Sequence, residues 1–250
     1  MNRLVQSELL DELPVTDPRA IHSRRDLRRI NAWMRHHVIM AKALQSVANG
    51  FVPTRITDLG AGDGNLLLRV ARKMSPSWRD VKATLLDRHK NATEQTLASF
   101  APLGWCVELV EADVFDWLSA VAALEVVVAN LFLHHFDDMR LAELFHAVAA
   151  RARLFVAIEP NRAPWPMFCC RLLWLIGCNS VTRHDAAISV RGGFSGNELS
   201  SLWPTNKGWQ LTERRTGFFS HLFVARKVAA LECADMSALS KAATCRRSPK

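Results

Sequence analysis

Short apolar runs alternate with amphipathic segments through the middle of this 250-residue chain. Five of these runs are rich in Val, Leu or Ile and are short enough to be buried parallel strands: 55–59, 83–87, 106–110, 125–130 and 153–159. Helical periodicity fills the gaps between them, at 65–74, 92–100, 114–122 and 139–150. This repeated alternation predicts an α/β fold with a doubly wound, mostly parallel sheet covered by helices on both faces.

The pattern changes after residue 159. It predicts a helical insertion over the apolar stretch 165–178, then a polar loop containing His184, a short helix near 195–202, and strands at 209–216 and 218–226, which bring the sheet to seven. The apolar stretch contains Pro166 and Arg171 and has only 14 residues. Because that is too short for a bilayer-spanning helix, we expect a buried or interfacial helix and no membrane span.

The N-terminal region shows one long amphipathic pattern. Apolar residues recur every three or four positions from Ile30 to Val47, and an arginine-rich stretch precedes and overlaps them. We interpret the arginines as the solvated face of one helix. The chain therefore divides into a helical segment at 1–50, an α/β domain at 51–228, and a basic tail at 229–250 that we expect to be flexible.

Charge and cysteine content narrow the function classes. The 32 Lys and Arg against 24 Asp and Glu give a net charge of +8, which keeps a nucleic-acid partner open as an alternative. The six cysteines form no CxxC pair and no zinc-type spacing with histidine, so we expect no metal and reduced thiols. The N-terminus lacks a secretory pattern, which predicts a cytoplasmic protein.

The most informative motif follows the first predicted strand. It reads Asp58, Leu59, Gly60, Ala61, Gly62, Asp63, Gly64, Asn65. Gly60 and Gly62 allow a tight turn and a close approach of a ligand to the backbone. The glycine spacing differs from the G-x-G-x-x-G of dinucleotide folds, and Asp58 would repel a pyrophosphate. The motif instead favours an amino-acid-like ligand with a positive centre.

This loop resembles the first motif of the class I S-adenosylmethionine-dependent methyltransferases, and the resemblance extends over about residues 54–160. It implies a Rossmann-like methyltransferase fold, S-adenosyl-L-methionine as the cofactor, and an N-terminal helical lid over the acceptor. The positions that it assigns to the cofactor are Asp58, Gly60, Ala61, Gly62, Asn65, Asp87, Arg88, Asp113, Val114, Asn130 and Leu131. Taken alone, Asp87 and Asp113 could equally be helix caps.

Two histidines follow the fourth predicted strand, where open α/β sheets place their ligands. His134 and His135 are our candidate catalytic residues, because an imidazole can accept the proton of a hydroxyl acceptor at neutral pH. The same His-His-Phe run is frequent in small-molecule members of the family. A structural or cofactor-facing role therefore stays open beside the role of a base.

We predict the acceptor from the apolar side chains that are not assigned to the cofactor or to catalysis. We expect Trp33, His37, Trp165 and Phe168 to bind it, and the chain has eight Trp and twelve Phe but no Tyr. A binding site lined by Trp and Phe side chains suits an aromatic or alkyl acceptor. Scattered matches, such as 27–31 and 191–195, resemble O-methyltransferases associated with bacterial type III polyketide synthases.

These features predict O-methylation of a hydrophobic small molecule, phenolic or polyketide-derived. A nucleic-acid methyltransferase is disfavoured, because Asn130 is followed by Leu131 and Phe132 rather than by two prolines. A non-catalytic cofactor-binding protein with the same fold is the other alternative. The sequence leaves the oligomeric state open.

Overall fold

The computed structural model of the protein describes residues 1–14, 16–48, 52–204 and 208–228. The tail at 229–250, for which flexibility was predicted, lies outside the described residues.

Seven strands form one sheet in the order β3-β2-β1-β4-β5-β7-β6. They are β1 (Arg55–Leu59), β2 (Val81–Asp87), β3 (Trp105–Glu111), β4 (Val126–Asn130), β5 (Leu154–Pro160), β6 (Trp209–Thr216) and β7 (Ser220–Lys227). The first five are parallel to one another, and β7 runs antiparallel to both β5 and β6. The predicted seven-stranded, mostly parallel fold is therefore confirmed, with strand ends shifted by one or two residues.

Ten α-helices accompany the sheet in the described residues. They are α1 (Leu9–Glu12), α2 (Pro18–Met34), α3 (His36–Ala48), α4 (Asn65–Met74), α5 (Glu94–Ala98), α6 (Val114–Ala120), α7 (Asp138–Arg151), α8 (Pro164–Leu172), α9 (Ser180–Gly192) and α10 (Glu198–Leu202). Short 3-10 turns occupy Ala101–Leu103, Leu133–His135 and Leu173–Ile176.

The core lies on both faces of the sheet, as the continuous apolar strands predict. Alternate residues of β5 separate the two layers: Val156 packs with α3 and α4, whereas Phe155 packs with α6, α7 and α10. Phe155 stacks on Trp203 with ring centroids 5.7 Å apart. Both sheet faces are thus sealed, and the carboxyl-terminal edge of the parallel strands is left for a ligand.

The single N-terminal helix that the periodicity predicts is in fact two helices. Arg35 separates α2 from α3 with a left-handed φ of 56°, a conformation that interrupts a right-handed helix. Side-chain periodicity alone did not reveal the break, because apolar spacing continues through it. The break allows α3 to pack on the sheet beside α4 while α2 runs over the edge where the parallel strands end.

The insertion after β5 also differs from the prediction. The apolar helix α8 ends at Leu172 and continues as a 3-10 turn to Ile176. The predicted polar loop is the helix α9, capped by the Asn179 side chain at the Thr182 N–H, and His184 lies on this helix. Polar residues on the exposed side of α9 obscured its buried stripe, which includes Val181 and Ile188.

The first residues of the chain are held against α9. The Leu4 N–H donates to the Arg191 carbonyl at 3.1 Å, and the buried Asp185 carboxylate accepts the N–H groups of Leu9 and Leu10 at 2.9 and 3.0 Å. These contacts fix residues 3–10 beside the turn that follows β4. Within the described ranges, no helix is long and apolar enough to cross a membrane.

Candidate active site

A cavity of about 300 Å³ opens at the carboxyl ends of β1 and β4. The loop after β1, the helices α2, α3 and α4, the turn after β4, and one residue each from the N-terminal segment and α9 surround it. Its lining is Glu8, Leu27, Arg28, Asn31, Ala32, His37, Asp58, Gly60, Ala61, Gly62, Asp63, Asn65, Leu66, Arg69, Asn130, Leu131, His134, His135 and Ser189. The structure thus brings the predicted glycine loop, the end of β4 and both candidate histidines into one site.

Neighbouring strands hold the glycine loop in place. The N–H groups of Gly60 and Ala61 both donate to the Leu86 carbonyl, at 2.9 and 3.0 Å. The Gly62 N–H donates to Asp87 Oδ2 at 2.8 Å. The carboxylate at the end of β2 therefore fixes the loop that follows β1.

Gly60 and Gly62 serve different purposes, although both have positive φ values of 69° and 57°. A Cβ on Gly60 would lie 2.2 Å from the Phe132 ring, so this glycine is required by packing. A Cβ on Gly62 would meet nothing within 4 Å. Because Gly62 lines the cavity, a side chain there would occupy ligand space.

Asp58 lies at the base of the cavity and is 1% exposed. Its Oδ2 has no hydrogen-bond partner among the described residues. Burial, together with the nearby Asp87, raises the pKa of Asp58 to about 8, so the carboxyl is mostly protonated at neutral pH. A cationic group placed beside it would restore its charge.

Four of the predicted cofactor residues lie outside the lining of this cavity: Asp87, Arg88, Asp113 and Val114. Asp113 caps α6 by accepting the Phe115 N–H at 2.8 Å, so its interpretation as a cap is confirmed. Its Oδ2 also accepts from Arg88 at 2.8 Å. Burial raises the pKa of Asp113, but the bonds to Arg88 and Phe115 together outweigh burial and lower the pKa overall. Direct cofactor contacts by these four residues stay a prediction.

The turn after β4 is organised by one buried carboxylate. Glu159, at the end of β5, accepts the backbone N–H groups of Phe132 and Leu133 at 3.0 and 2.9 Å. Its other oxygen lies 2.8 Å from His134 Nδ1. Leu131, immediately before this turn, has a left-handed φ of 51°, which the surrounding bonds impose on a residue that disfavours it.

The two histidines have opposite charge preferences. Burial opposes a charge on His134, but the bonds to Glu159 and Glu8 outweigh it and raise the pKa of His134 to about 9. Burial and the neighbouring His134 cation lower the pKa of His135 to about 4. At neutral pH, His134 is therefore a cation and His135 is neutral.

Glu8 is a site residue that the sequence did not reveal. It is 9% exposed, its carboxylate lies 3.4 Å from His134 Nε2, and it accepts a hydrogen bond from Ser189 Oγ. The sequence offered little signal, because Glu8 follows the polar Gln6 and Ser7 and only Leu9 and Leu10 separate it from further acidic residues. Donor atoms of Glu8, His134 and His135 lie within 4.8 Å of one another. A metal there would have to displace the His134 proton, which already pairs with two carboxylates.

Of the four residues predicted to bind the acceptor, one lines the cavity and three lie outside it. His37 lines the cavity, and burial together with the cations Arg69 and Lys73 lowers its pKa. Trp165 and Phe168 lie outside the cavity with exposures of 55% and 49%. Trp33 is also outside, 70% exposed, with its ring 5.4 Å from that of Phe219. The apolar insertion therefore does not form the wall of this cavity.

The helix α2 supplies two polar residues to the cavity, of which Arg28 was assigned to solvent from the sequence. Arg28 and Asn31 line the cavity, and Arg28 Nη1 lies 3.6 Å from Asp63 Oδ2 in the glycine loop. The predicted cover by the N-terminal segment thus extends over the glycine loop as well as the histidines. Helical periodicity could not show this. It distinguishes a polar face from an apolar face, but a polar face has the same periodicity whether it lines a ligand cavity or faces solvent.

Comparisons with known proteins agree with this geometry. Residues 56–153 match the family model of a methyltransferase domain. Over 88 residues, the chain is 34% identical to uncharacterized methyltransferases of Mycobacterium tuberculosis and Mycobacterium bovis, which covers 35% of this chain and 40% of each relative. The chain thus matches less than half the length of these curated relatives.

Solved structures share the fold over most of the chain. The plantazolicin methyltransferase BpumL, solved with SAH, superposes with a TM-score of 0.62 at 12% identity and covers 85% of this chain and 91% of its own. A candidate O-methyltransferase from Nostoc punctiforme gives a TM-score of 0.58 at 13% identity, over 90% of this chain and 64% of its own. At these identities the likeness concerns the fold alone.

The matched domain, the seven-stranded sheet and the acidic glycine loop support the class I S-adenosylmethionine-dependent methyltransferase that the loop after β1 predicts.

The charge on His134 makes a testable contribution to stability. Because its pKa in the folded protein is about 9, above the unfolded value of about 6.5, its stabilising effect is complete below about pH 6.5 and is lost as the pH rises through about 9. We expect His134→Gln to reduce the free energy of unfolding more at pH 6 than at pH 9.5, as measured by urea denaturation. His146→Gln, at an exposed position, is the control and should change the free energy of unfolding far less at pH 6. An equal loss at both pH values for His134→Gln would contradict the assignment.

Proposed function

We propose that this protein transfers a methyl group from S-adenosyl-L-methionine to a hydroxyl oxygen of a hydrophobic small molecule, with phenolic or polyketide-derived compounds as the candidate class. The observation that carries the proposal is the buried, unpartnered carboxyl oxygen of Asp58 beside the open glycine loop. The positive centre of such a ligand would pair with the Asp58 carboxyl. Another part of the ligand would lie against the backbone at Gly62, where no side chain is in the way.

The residues present fit this cofactor. Asp58 offers an acceptor to a cationic group, Gly62 leaves space at the loop, and Asn65 and Asn130 add polar atoms to the lining. Asp87 already holds the Gly62 N–H, so a ligand at the loop would find its backbone in a fixed conformation. When bound, the cofactor supplies a methyl group activated by attachment to a positively charged sulfur.

The tasks left to the protein are alignment and exclusion of water. The helix α2 covers the cavity through Leu27 and Ala32, and the turn after β4 presents His135. Methyl transfer would join the acceptor oxygen to the methyl carbon, break the bond from that carbon to sulfur to leave a neutral thioether, and release the hydroxyl proton to solvent water. A ring nitrogen of His135, neutral at physiological pH, can accept a hydrogen bond from the hydroxyl and direct an oxygen lone pair toward the methyl carbon.

The charge states favour this orienting role over the predicted general base. His134 already holds its proton, and a second proton on His135 would place two cations side by side, with ring centroids 4.3 Å apart. A base works best with a pKa near the working pH, whereas the pKa of His135 is about 4.

Nucleic acid is disfavoured as the acceptor by the site itself. The cavity of about 300 Å³ lies under α2, which limits the size of an acceptor that can enter it. The structural likeness to a candidate O-methyltransferase is compatible with an oxygen acceptor.

The glycine loop provides a first test. A valine at Gly62 places its side chain in open cavity space at a positive φ, so we expect Gly62→Val to weaken S-adenosylhomocysteine binding at least about tenfold in calorimetry. Gly196→Val is the matched control, because Gly196 also has a positive φ, of 60°, and open space around its Cβ, but lies outside the cavity. Equal affinity of the Gly62 variant and the wild type would refute the assignment of the loop.

The buried carboxyl of Asp58 provides a second test. With a pKa of about 8, it is mostly protonated at pH 7, and pairing with a cationic ligand should lower that pKa and release the proton. Calorimetry at pH 7 in buffers of different ionisation enthalpy should therefore report release of up to about one proton per ligand. Asp58→Asn should abolish the release. Proton uptake, or unchanged release in that variant, would contradict the role of Asp58.

His135 provides a third test, which separates orientation from proton abstraction. We expect kcat for a phenolic acceptor to show no titration near pH 6.5. His135→Asn, which keeps a hydrogen-bond acceptor, should retain kcat within several-fold, and His135→Leu should lower it by about 100-fold, because the hydroxyl loses its partner. Cofactor affinity should stay unchanged in both variants. A titration near pH 6.5 that disappears in His135→Asn would instead identify His135 as a base.

A further inference from the structure

The insertion after β5 exposes an unusual amount of apolar surface. Six large apolar side chains between residues 165 and 176 are 39–60% exposed, and we call them the α8 ridge: Trp165, Phe168, Leu172, Trp174, Leu175 and Ile176. Isolated apolar residues are common on protein surfaces, but a contiguous group of this kind marks an interaction site. The Trp165 and Phe168 rings lie 5.8 Å apart, so they form one surface.

A cationic concavity adjoins the α8 ridge. This arginine groove, of about 520 Å³, is lined by Arg171 of α8, by Arg183 and Arg191 of α9, and by Ser180 and His184 among others. None of the three guanidinium groups has an ion-pair partner within residues 1–14, 16–48, 52–204 and 208–228. The groove therefore offers unneutralised positive charge to an anion.

No acidic side chain in this part of the chain offsets these arginines. Asp185 is the one acidic residue between positions 164 and 192. It is buried, and its carboxylate accepts the N–H groups of Leu9 and Leu10 and lies 3.1 Å from His184 Nδ1, so it is engaged with groups other than the three arginines. At the far end of the α8 ridge, Arg29 Nη2 lies 3.4 Å from the Ile176 carbonyl oxygen, but this arginine already pairs with Asp26 at 3.6 Å and adds no free charge.

The α8 ridge and the arginine groove meet on one helix. Leu172 belongs to the ridge and its neighbour Arg171 to the groove, so apolar and cationic groups occur side by side at the same surface. Tryptophan and arginine in this arrangement suit the boundary of a bilayer, where rings enter the acyl region and guanidinium groups bind phosphates. An anionic bilayer offers both environments together, whereas a protein partner would have to place several acidic groups around an apolar patch.

We propose that the α8 ridge and the arginine groove form a docking surface for a bilayer that contains anionic phospholipids. The contact is peripheral, with the short helix α8 lying at the interface. The net charge of +8 favours approach to such a surface. This inference concerns a face outside the catalytic cavity and does not rest on the proposed methyl transfer.

The test is cosedimentation of the full chain with vesicles of phosphatidylcholine alone or of phosphatidylcholine with phosphatidylglycerol. We expect at least about tenfold stronger partitioning to the vesicles with phosphatidylglycerol. The triple variant Arg171→Gln, Arg183→Gln, Arg191→Gln should reduce that partitioning at least about tenfold. A triple variant with the same charge change on a distant exposed surface, Arg72→Gln, Lys73→Gln, Arg79→Gln, is the control and should retain most of it. All variants keep residues 229–250, so the basic tail cannot explain a difference between them.

The apolar contribution is tested separately. Trp174→Ser with Leu175→Ser should weaken partitioning about tenfold or more, whereas Met139→Ser, at a 76% exposed position on α7, should leave it unchanged. The conservative Trp174→Phe should preserve binding and should reduce the blue shift of tryptophan emission that vesicles induce in the wild type.

Three results would overturn the proposal. The first is equal binding to both kinds of vesicle, and the second is equal partitioning of the wild type and the groove variant. The third is a dimer in sedimentation velocity that the ridge variant converts to a monomer without any vesicle binding by the wild type. That last result would assign the surface to a second copy of the chain.

Discussion

The buried carboxylate of Glu159 is the interaction on which the site depends. At the end of β5, it is fully buried and accepts two backbone N–H groups of the turn after β4, while its second oxygen holds His134. A buried carboxylate without such partners would be costly. Burial by itself raises the pKa of Glu159, but the bonds to His134 and to this turn lower it overall. The ion therefore stays charged and determines the path of the chain past Asn130.

That arrangement extends through His134 to the N-terminal segment. The imidazolium bridges Glu159 and Glu8, and Glu8 reaches it only because Arg3, Leu4 and the backbone near Leu9 are attached to α9 and the turn. The cover of the site is thus fastened to the sheet by buried charge as well as by apolar packing. The same positive charge suppresses protonation of His135 and so influences which chemistry the cavity can support.

The insertion after β5 has two unlike surfaces. Its buried side, with Cys170 and Ile188, packs against the rest of the fold, and Asp185 on α9 holds the N-terminal segment. Its outer side carries the α8 ridge and the arginine groove. One element can therefore position the cover of the catalytic cavity on its inner side and contact a lipid surface on its outer side. Under the two proposals made above, an apolar acceptor dissolved in a bilayer would lie close to the cavity.

The sequence by itself determined the sheet and the glycine loop, and that loop carried the resemblance to S-adenosylmethionine-dependent methyltransferases. Strand and helix periodicity follow from local side-chain alternation, and the glycine spacing after β1 is a local requirement of backbone conformation. Both can therefore be recognised within a short stretch of sequence. The break at Arg35 and the helix α9 were missed because apolar spacing continues through the first and polar residues obscure the second.

Only the tertiary structure decided the roles of Glu8, His134, His135 and the exposed aromatic residues. Glu8 and His134 are 126 positions apart, and their charges depend on burial and on each other. Periodicity could show that Trp165 and Phe168 are apolar, but whether they face a cavity or solvent depends on where α8 packs. The charge state and the exposure of a side chain depend on where segments distant in sequence come to lie. No local sequence pattern encodes those positions.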